Sequence, residues 1–395
     1  MKTRDWIHLP ASVILLLIVC GAQASPISGV SIFPPDHVWN VPIDTMPLDA
    51  RSADYVASIG TSSPLHPDFG SGLWDGAPIG IPYNIVNNTV TKKTVAFDYS
   101  AESDPGPYPI PANPLIEGGP DSTGDRHILM LQTDEKKLYE LYAAYQQPDG
   151  SWTAGSGAIY DLTTYGLRPA GWTSADAAGL AMLPGLVRYD EVAAGKIDHA
   201  IRFTAPKTRN AYIWPARHLA SSSTSLSLPP MGQRFRLKAS FDTTGYPPQS
   251  RVVLEALKKY GMILADNGGA WFISGVPDDR WNNDDLNHLK QLKGSDFEAV
   301  NESSLMISPD SGKAKVVSPG VVALPGMTSL PTDPDHDGLY EDLSGNGVAG
   351  FTDVVLFFQN IDWIMANEPV AAFDFSGNGK IGFNDIVLLF KKISS

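Results

Sequence analysis

The chain has 395 residues, with 43 Asp and Glu against 29 Lys and Arg and a formal net charge of −14. So acidic a balance argues against nucleic acid as a partner, because phosphate binding needs a basic surface. With 36 Gly, 32 Pro and 10% aromatic residues, the composition reads as loop-rich and strand-rich, not as a helical bundle.

Residues 1–24 read as a secretory signal peptide. Lys2 and Arg4 give a positive start, Ala11 to Val19 an apolar run, and Ala22-Gln23-Ala24 a small-x-small cleavage site. The run is shorter than the roughly 20 residues that span a bilayer. Cys20 suggests a lipid anchor, but Val19 before it is not the small residue such a signal wants. Cleavage after Ala24 removes the only cysteine, so the mature chain has no internal disulfide. The expected location is extracellular, secreted or cell-surface associated, with no transmembrane segment in the mature chain.

Residues 25–304 form one continuous body. Strand signals fall at Thr94–Tyr99, His127–Thr133, Leu138–Tyr145, Ala158–Leu162, His199–Thr204, Arg234–Phe241 and Trp271–Ser274. Helical patterns are few: Ser250–Tyr260, Asn283–Leu292 and a short turn at Ser174–Leu180. No regular βαβ rhythm appears, so the expectation is a mainly β fold, a β-sandwich or jelly-roll-like body with a few helices.

Residues 305–332, punctuated by Pro309, Pro319, Pro325 and Pro331, read as a linker. Residues 333–395 hold an internal repeat. Gly350-Phe351-Thr352-Asp353 followed by Val354–Phe358 matches Gly382-Phe383-Asn384-Asp385 followed by Ile386–Phe390, 32 residues on. Each copy closes a loop with calcium-ligand spacing. Asp342, Ser344, Asn346 and Asp353 offer side-chain oxygens and Val348 a carbonyl in the first. Asp374, Ser376, Asn378, Asp385 and the Lys380 carbonyl do so in the second. Calcium wants six to eight hard oxygens, and glycine at the sixth loop position (Gly347, Gly379) permits the sharp turn. Upstream, Asp333, Asp335 and Asp337 form a DxDxDG run that reads equally as a further calcium site or as a solvated acidic hinge.

This loop-plus-helix unit, used twice, resembles a type I dockerin, of the long-spaced form associated with archaeal sequences. The resemblance implies a small α-helical EF-hand-like domain, bound Ca2+, and docking to a cohesin-like domain on a scaffold or surface protein. Phe351-Thr352 and Phe383-Asn384 would lie among the contacts, although each Phe is expected to pack in the core between the helices. The body resembles an exported family of unknown activity through Gly124-Asp125-Arg126-His127, Tyr139-Glu140-Leu141-Tyr142, Trp172–Leu180, Ile197-Asp198-His199-Ala200, Pro229–Gly232 and Ala265-Asp266-Asn267-Gly268.

Dockerins are most often fused to polysaccharide-degrading enzymes or glycan-binding modules, which sets the expectation for the body. Glycoside hydrolysis needs two carboxyl groups beside aromatic surfaces. Glu140 lies between tyrosines on a strand whose alternation puts Glu140 and Tyr142 on one face, and it is the first candidate acid or base. A salt bridge to Arg126 or to the row Arg234, Arg236, Lys238 is the structural alternative. Asp161, Asp176, Asp125 and Asp198 are the candidate partners. Asp176 reads as a helix cap, and Asp266 as a turn residue. The basic row reads either as a uronate-binding face or as a solvated strand face. His127, His199 and His218 lack zinc spacing, and no GxSxG, P-loop or dinucleotide fingerprint appears. The leading expectation is a secreted glycoside hydrolase or polysaccharide lyase acting on a polysaccharide; the alternative is a non-catalytic glycan-binding or cell-surface structural protein.

Overall fold

The computed structural model describes residues 26–315, 321–335 and 337–394. The signal segment and Cys20 lie outside the described residues. The chain divides between residues 316 and 317 into a body and a C-terminal unit.

The body is mainly β, with several sheets and few helices. Its strands include β1 (His66–Asp68), β2 (Tyr83–Val86), β3 (Ile128–Gln132), β4 (Lys137–Tyr142), β5 (Ser156–Asp161), β6 (Ile201–Ala205), β7 (Arg234–Leu237), β8 (Met262–Asn267), β9 (Phe272–Ser274) and β10 (Phe297–Ala299). One sheet runs β5-β4-β3-β2 and a second β1-β9-β6-β8-β7-β10. Both are mixed: β2–β3, β1–β9 and β6–β8 pair parallel, the remaining neighbours antiparallel. A jelly roll pairs its strands antiparallel throughout, so the topology departs from that expectation. A parallel pair cannot be closed by a hairpin. Residues 206–261, which include helix α1 (Pro248–Lys259), make the crossover between β6 and β8.

Period-2 alternation governs β3 and β4. Leu129, Leu131 and Leu138 enter the main core with Ile201 and Phe203 of β6. Ile128, Met130, Tyr139 and Leu141 enter a second core with Val95, Tyr108 and Trp152. Helix α1 buries Ser250, Val253, Leu254, Ala256 and Leu257, one face of a 3.6-residue period, and ends with Lys258 and Lys259 in its last turn. Gly261 follows at φ 66°, where a Cβ would sit 2.2 Å from the Phe235 carbonyl oxygen. Asn283–Leu286 is helical and continues as a 3-10 turn over Asn287–Gln291, and within Ser174–Leu180 the Gly179 amide closes a short turn on the Asp176 carbonyl.

The expected linker is split. Leu305 and Ala314 are buried in the body, and Met306–Ala314, His37–Lys313 and Gly166–Ser311 form β-bridges. Leu324 belongs to the core of the C-terminal unit. Apolar residues spaced through a Pro-rich stretch give no period, so burial there was not readable from pattern. In the C-terminal unit, helices α2 (Phe351–Gln359) and α3 (Phe383–Ile393) pack around Leu343, Val354, Phe357, Phe373, Ile386 and Leu389. The insert between the repeats forms a helix of its own, Ile361–Asn367. Among the described residues, no helix is long and apolar enough to cross a membrane.

Candidate functional site

A cavity of about 400 Å³ is lined from both sheets: Tyr142 ends β4, Ser156 begins β5, and Asp266 and Asn267 end β8. Tyr99, Glu102, Asp125, Asp176 and His218 complete its polar wall. Local irregularity aims these groups. Phe203 pairs with Leu264 but Thr204 pairs with Asp266, so Ala265 is an extra residue and β8 bulges beside the cavity. A bulge of this kind re-aims the side chains around it. Arg126, at φ 52°, turns the chain between Asp125 and β3.

Beneath the cavity lies Arg202. Its Nε donates to Asp176 Oδ2 at 2.7 Å, Nη2 to Asp176 Oδ1 at 2.8 Å and Nη1 to Ser274 Oγ at 2.8 Å. This two-pronged pairing fixes Asp176 and matches its charge, so that both its oxygens are already engaged. Arg202 Nη2 is also 3.5 Å from Asp266 Oδ2. Burial, and then the charge of Asp176, push the Asp266 carboxyl up to about 7 against the pull of Arg202. Asp266 thus carries a proton near neutrality while partly exposed to the cavity.

Glu117, Asp125 and His127 bring their polar atoms within 4.8 Å of one another. His127 Nδ1 is 2.5 Å from Glu117 Oε2, and Nε2 is 2.9 Å from the Ala175 carbonyl oxygen. Both ring nitrogens therefore donate, which requires the imidazolium. Burial opposes that charge, but Glu117 outweighs it and lifts the ring to about 9. Held between Glu117 and the Ala175 carbonyl, His127 ties the Glu117 loop to the segment that carries Asp176. His199 is engaged by Glu191 and the Ala200 carbonyl, and His218 by the Ala177 carbonyl.

Of the five carboxylates picked from sequence, Asp125 and Asp176 line the cavity, and Glu140, Asp161 and Asp198 do not. Glu140 shares a strand face with Tyr142, as alternation requires, but that face points into the main core. Its carboxylate is fully buried and accepts the Met182 amide at 3.0 Å and the Leu183 amide at 2.9 Å. Burial raises it to about 7, with the two amides holding it back. Glu140 therefore anchors a loop, out of reach of any substrate, and has neither expected salt bridge. Asp161 sits at the other end of β5 from Ser156, exposed, accepting the amide and hydroxyl of Thr163. The basic row takes neither expected role. Arg234 is buried against Glu302 and the Val38, Val41 and Tyr260 carbonyls, Arg236 pairs Glu298, and Lys238 donates to the Ser295 carbonyl.

Sequence reasoning passed over Tyr99, Glu102, Glu117 and Asp266. One signal was present. Four of the stretches that carry the resemblance of the body (Gly124–His127, Tyr139–Tyr142, Trp172–Leu180 and Ala265–Gly268) each place a residue on this one cavity.

In the C-terminal unit the two loops agree bond for bond. Asp353 accepts the amides of Ser344 and Gly350, both at 2.8 Å; Asp385 accepts those of Ser376 and Gly382, both at 2.7 Å. Asp342 takes the Gly347 amide and Asp374 the Gly379 amide, each at 2.6 Å. Ser344 and Ser376 hydroxyls donate to Asp342 and Asp374, and Asn346 and Asn378 accept the amides of Val348 and Lys380. Gly347 and Gly379 stand at φ 89° and 79°, the left-handed turn the spacing demands. This donor set of carboxylate, hydroxyl, amide and carbonyl oxygens fits a hard cation. At the upstream run, Asp333, Asp335, Asp337 and Glu341 lie within 4.8 Å of one another, and the Lys392 ammonium binds Asp335, Asp337 and Glu341. Phe351 and Phe383, expected in the core, are exposed, each edge-on to an exposed ring of the other helix, Phe390 and Phe358 respectively. The interior is filled instead by Phe357 and Phe373.

No family model matches the chain, and no match is found among curated proteins or solved structures.

Proposed function

We propose that this is an exported carbohydrate-active protein whose body hydrolyses glycosidic bonds in the Asp125–Asp266 cavity and whose C-terminal unit binds calcium and docks the body to a partner. The observation that carries the enzymatic half is the convergence of Asp125 and Asp266 with Tyr99 and Tyr142 on one cavity. In this reading Asp266, protonated near neutrality, donates to the leaving oxygen. Asp125 is the second carboxylate, acting on water or on the sugar, and the tyrosines support sugar rings. The lining favours a hydrolase of neutral glycans over a lyase of uronic-acid polymers. Its acidic groups Glu102 and Asp125 would repel a uronate, and among the lining residues His218 is the one basic group.

The docking half is supported by the duplicated loops and by the exposed rings of Phe351, Phe358, Phe383 and Phe390. An apolar patch of this sort marks interaction surfaces. Its repetition on two matched helices suits a cohesin-like partner.

Sugar release from neutral and uronic-acid polysaccharides, read by mass spectrometry, tests the enzymatic half. Saturated oligosaccharides from a neutral polymer, lost in Asp266→Asn, are the expected result. Silence of the folded protein across the panel would instead favour the non-catalytic, glycan-binding reading.

A further inference from the structure

A second cavity of about 650 Å³ lies beside the first. Trp74, 78% exposed, stands over it on a small hairpin formed by Leu73–Trp74 and Ala77–Pro78. The hairpin is held in place: Asn283 Oδ1 accepts the Ser71 amide at 2.9 Å and its Nδ2 donates to the Ser71 carbonyl at 3.0 Å. His66 stacks on Phe272 with ring centroids 4.0 Å apart, forming a flat aromatic wall. Asp68, Asn287 and Lys290 supply polar groups around it. Both cavities fall in the range of about 300–1,000 Å³ typical of ligand sites.

The two cavities approach each other at one pair of carboxylates. Glu117 lines the second and Asp125 the first, and their carboxylate oxygens lie within 4.8 Å of one another. Asp266 shares the first lining with Asp125, and Asp68 and Trp74 share the second with Glu117. A flat indole in water, on a tethered hairpin above hydroxyl-binding groups, is the chemistry that receives the apolar face of a sugar ring.

We propose that the two cavities form one groove for a neutral polysaccharide chain, with Trp74 as a remote sugar platform, so that the body acts on polymers and not on short saccharides. This rests on the glycosidase reading of the first cavity and extends it to chain length and to a binding residue away from the reacting bond.

The test uses the full chain with calcium, in an Asp266→Asn background to prevent turnover. Binding of cello-, manno-, xylo- and laminari-oligosaccharides of two and of six units is measured by calorimetry. The expected result is that the six-unit member of one series binds at least about tenfold more tightly than its two-unit member. Trp74→Ala should bring that ratio close to one, and Trp74→Phe should restore most of it. Because Trp74 is exposed, its truncation leaves the core intact, and circular dichroism checks this. Equal affinity for both lengths, or a ratio that Trp74→Ala does not change, would overturn the groove while leaving the glycosidase reading standing. Absence of any binding, together with absence of sugar release by the wild-type chain, would overturn both.

Discussion

In the body cavity Asp176 is matched by Arg202 and Glu117 by His127. In the C-terminal loops Asp342, Asp353, Asp374 and Asp385 are met by backbone amides and hydroxyls, with no ion pair to a cationic side chain among the described residues. The first arrangement is complete in itself. It fixes geometry at the moment of folding and leaves Asp266, at 3.5 Å from an Arg202 already engaged by Asp176, with a raised proton affinity. The second gathers carboxylates within short loops on backbone amides and hydroxyls, without a cationic side chain to balance them; on the calcium proposal, the cation would supply that charge and become part of the folding free energy. The body site is held by its own ion pairs, whereas the loops are held by their own backbone.

The sharpest way to break this contrast is at Asp266. Replacing it with Asn should lower kcat on the cleaved polysaccharide by about 10²–10⁴-fold, the usual worth of a general acid, while the response of the C-terminal unit to calcium is unchanged. An unaltered kcat would remove Asp266 as the acid. The pH profile adds to this: turnover should fall as pH rises through about 7, where Asp266 loses its proton.

Calcium removal is the next effect in size. In calorimetry of the whole chain, a chelator should lower the unfolding transition of the C-terminal unit by several kcal/mol of stability and leave the body transition in place, as ligand linkage requires. Asp353→Ala and Asp385→Ala should each weaken the calcium response. A transition indifferent to calcium and chelator would end the dockerin reading.

Glu140→Ala follows. It strips the acceptor from the buried Met182 and Leu183 amides and should destabilise the body by about 3 kcal/mol. Glu140→Gln keeps an oxygen there and should cost about 1 kcal/mol, with turnover retained, unlike the loss expected of a catalytic carboxylate.

The body should also respond to pH in one direction. Glu140, Glu302 and Asp266 are each raised to about 7 by burial first, and His127 is held near 9 by Glu117 against the opposing effect of burial. In the folded state these groups keep protons that the unfolded chain releases near 4–4.5 for carboxyls and 6.5 for imidazole. The folded body therefore binds more protons between roughly pH 4.5 and 9, so its stability falls as pH rises across that window. His37, pressed down to about 3 by burial, works the other way below 6.5, one group against three. A body melting temperature that climbs from pH 5 to 9 would contradict this balance.

The smallest effect belongs to the exposed rings. Phe383→Ala should change stability by no more than about 0.5 kcal/mol, whereas Phe357→Ala, in the interior of the same unit, should cost about 3–5 kcal/mol.

Much of the local structure was legible. The alternation in β4 put Glu140 and Tyr142 on one face, and they share one; the 3.6-residue pattern placed α1 within two residues at its N-terminal end. The loop spacing of the C-terminal unit returned as two matching sets of hydrogen bonds. Alternation could not say which face of β4 met a second sheet, and so Glu140 read as a candidate acid or base when it is interior. Asp266 read as a turn aspartate because the bulge that aims it is a register shift between β6 and β8, strands about 60 residues apart in the chain. The two phenylalanines after the loops read as core because hydrophobicity alone does not distinguish a buried ring from one presented to solvent.

The sequence by itself determined what depends on neighbours along the chain: strand and helix periods, glycine-enabled turns, the duplicated loops and their oxygen donors. These follow from backbone geometry and spacing within about a dozen residues. Only the tertiary structure decided which carboxylates share a cavity, which are cancelled by Arg202, Arg234 or His127, and which aromatic residues stay in water. Those outcomes depend on the pairing of strands and loops far apart in sequence, and on the desolvation their packing imposes.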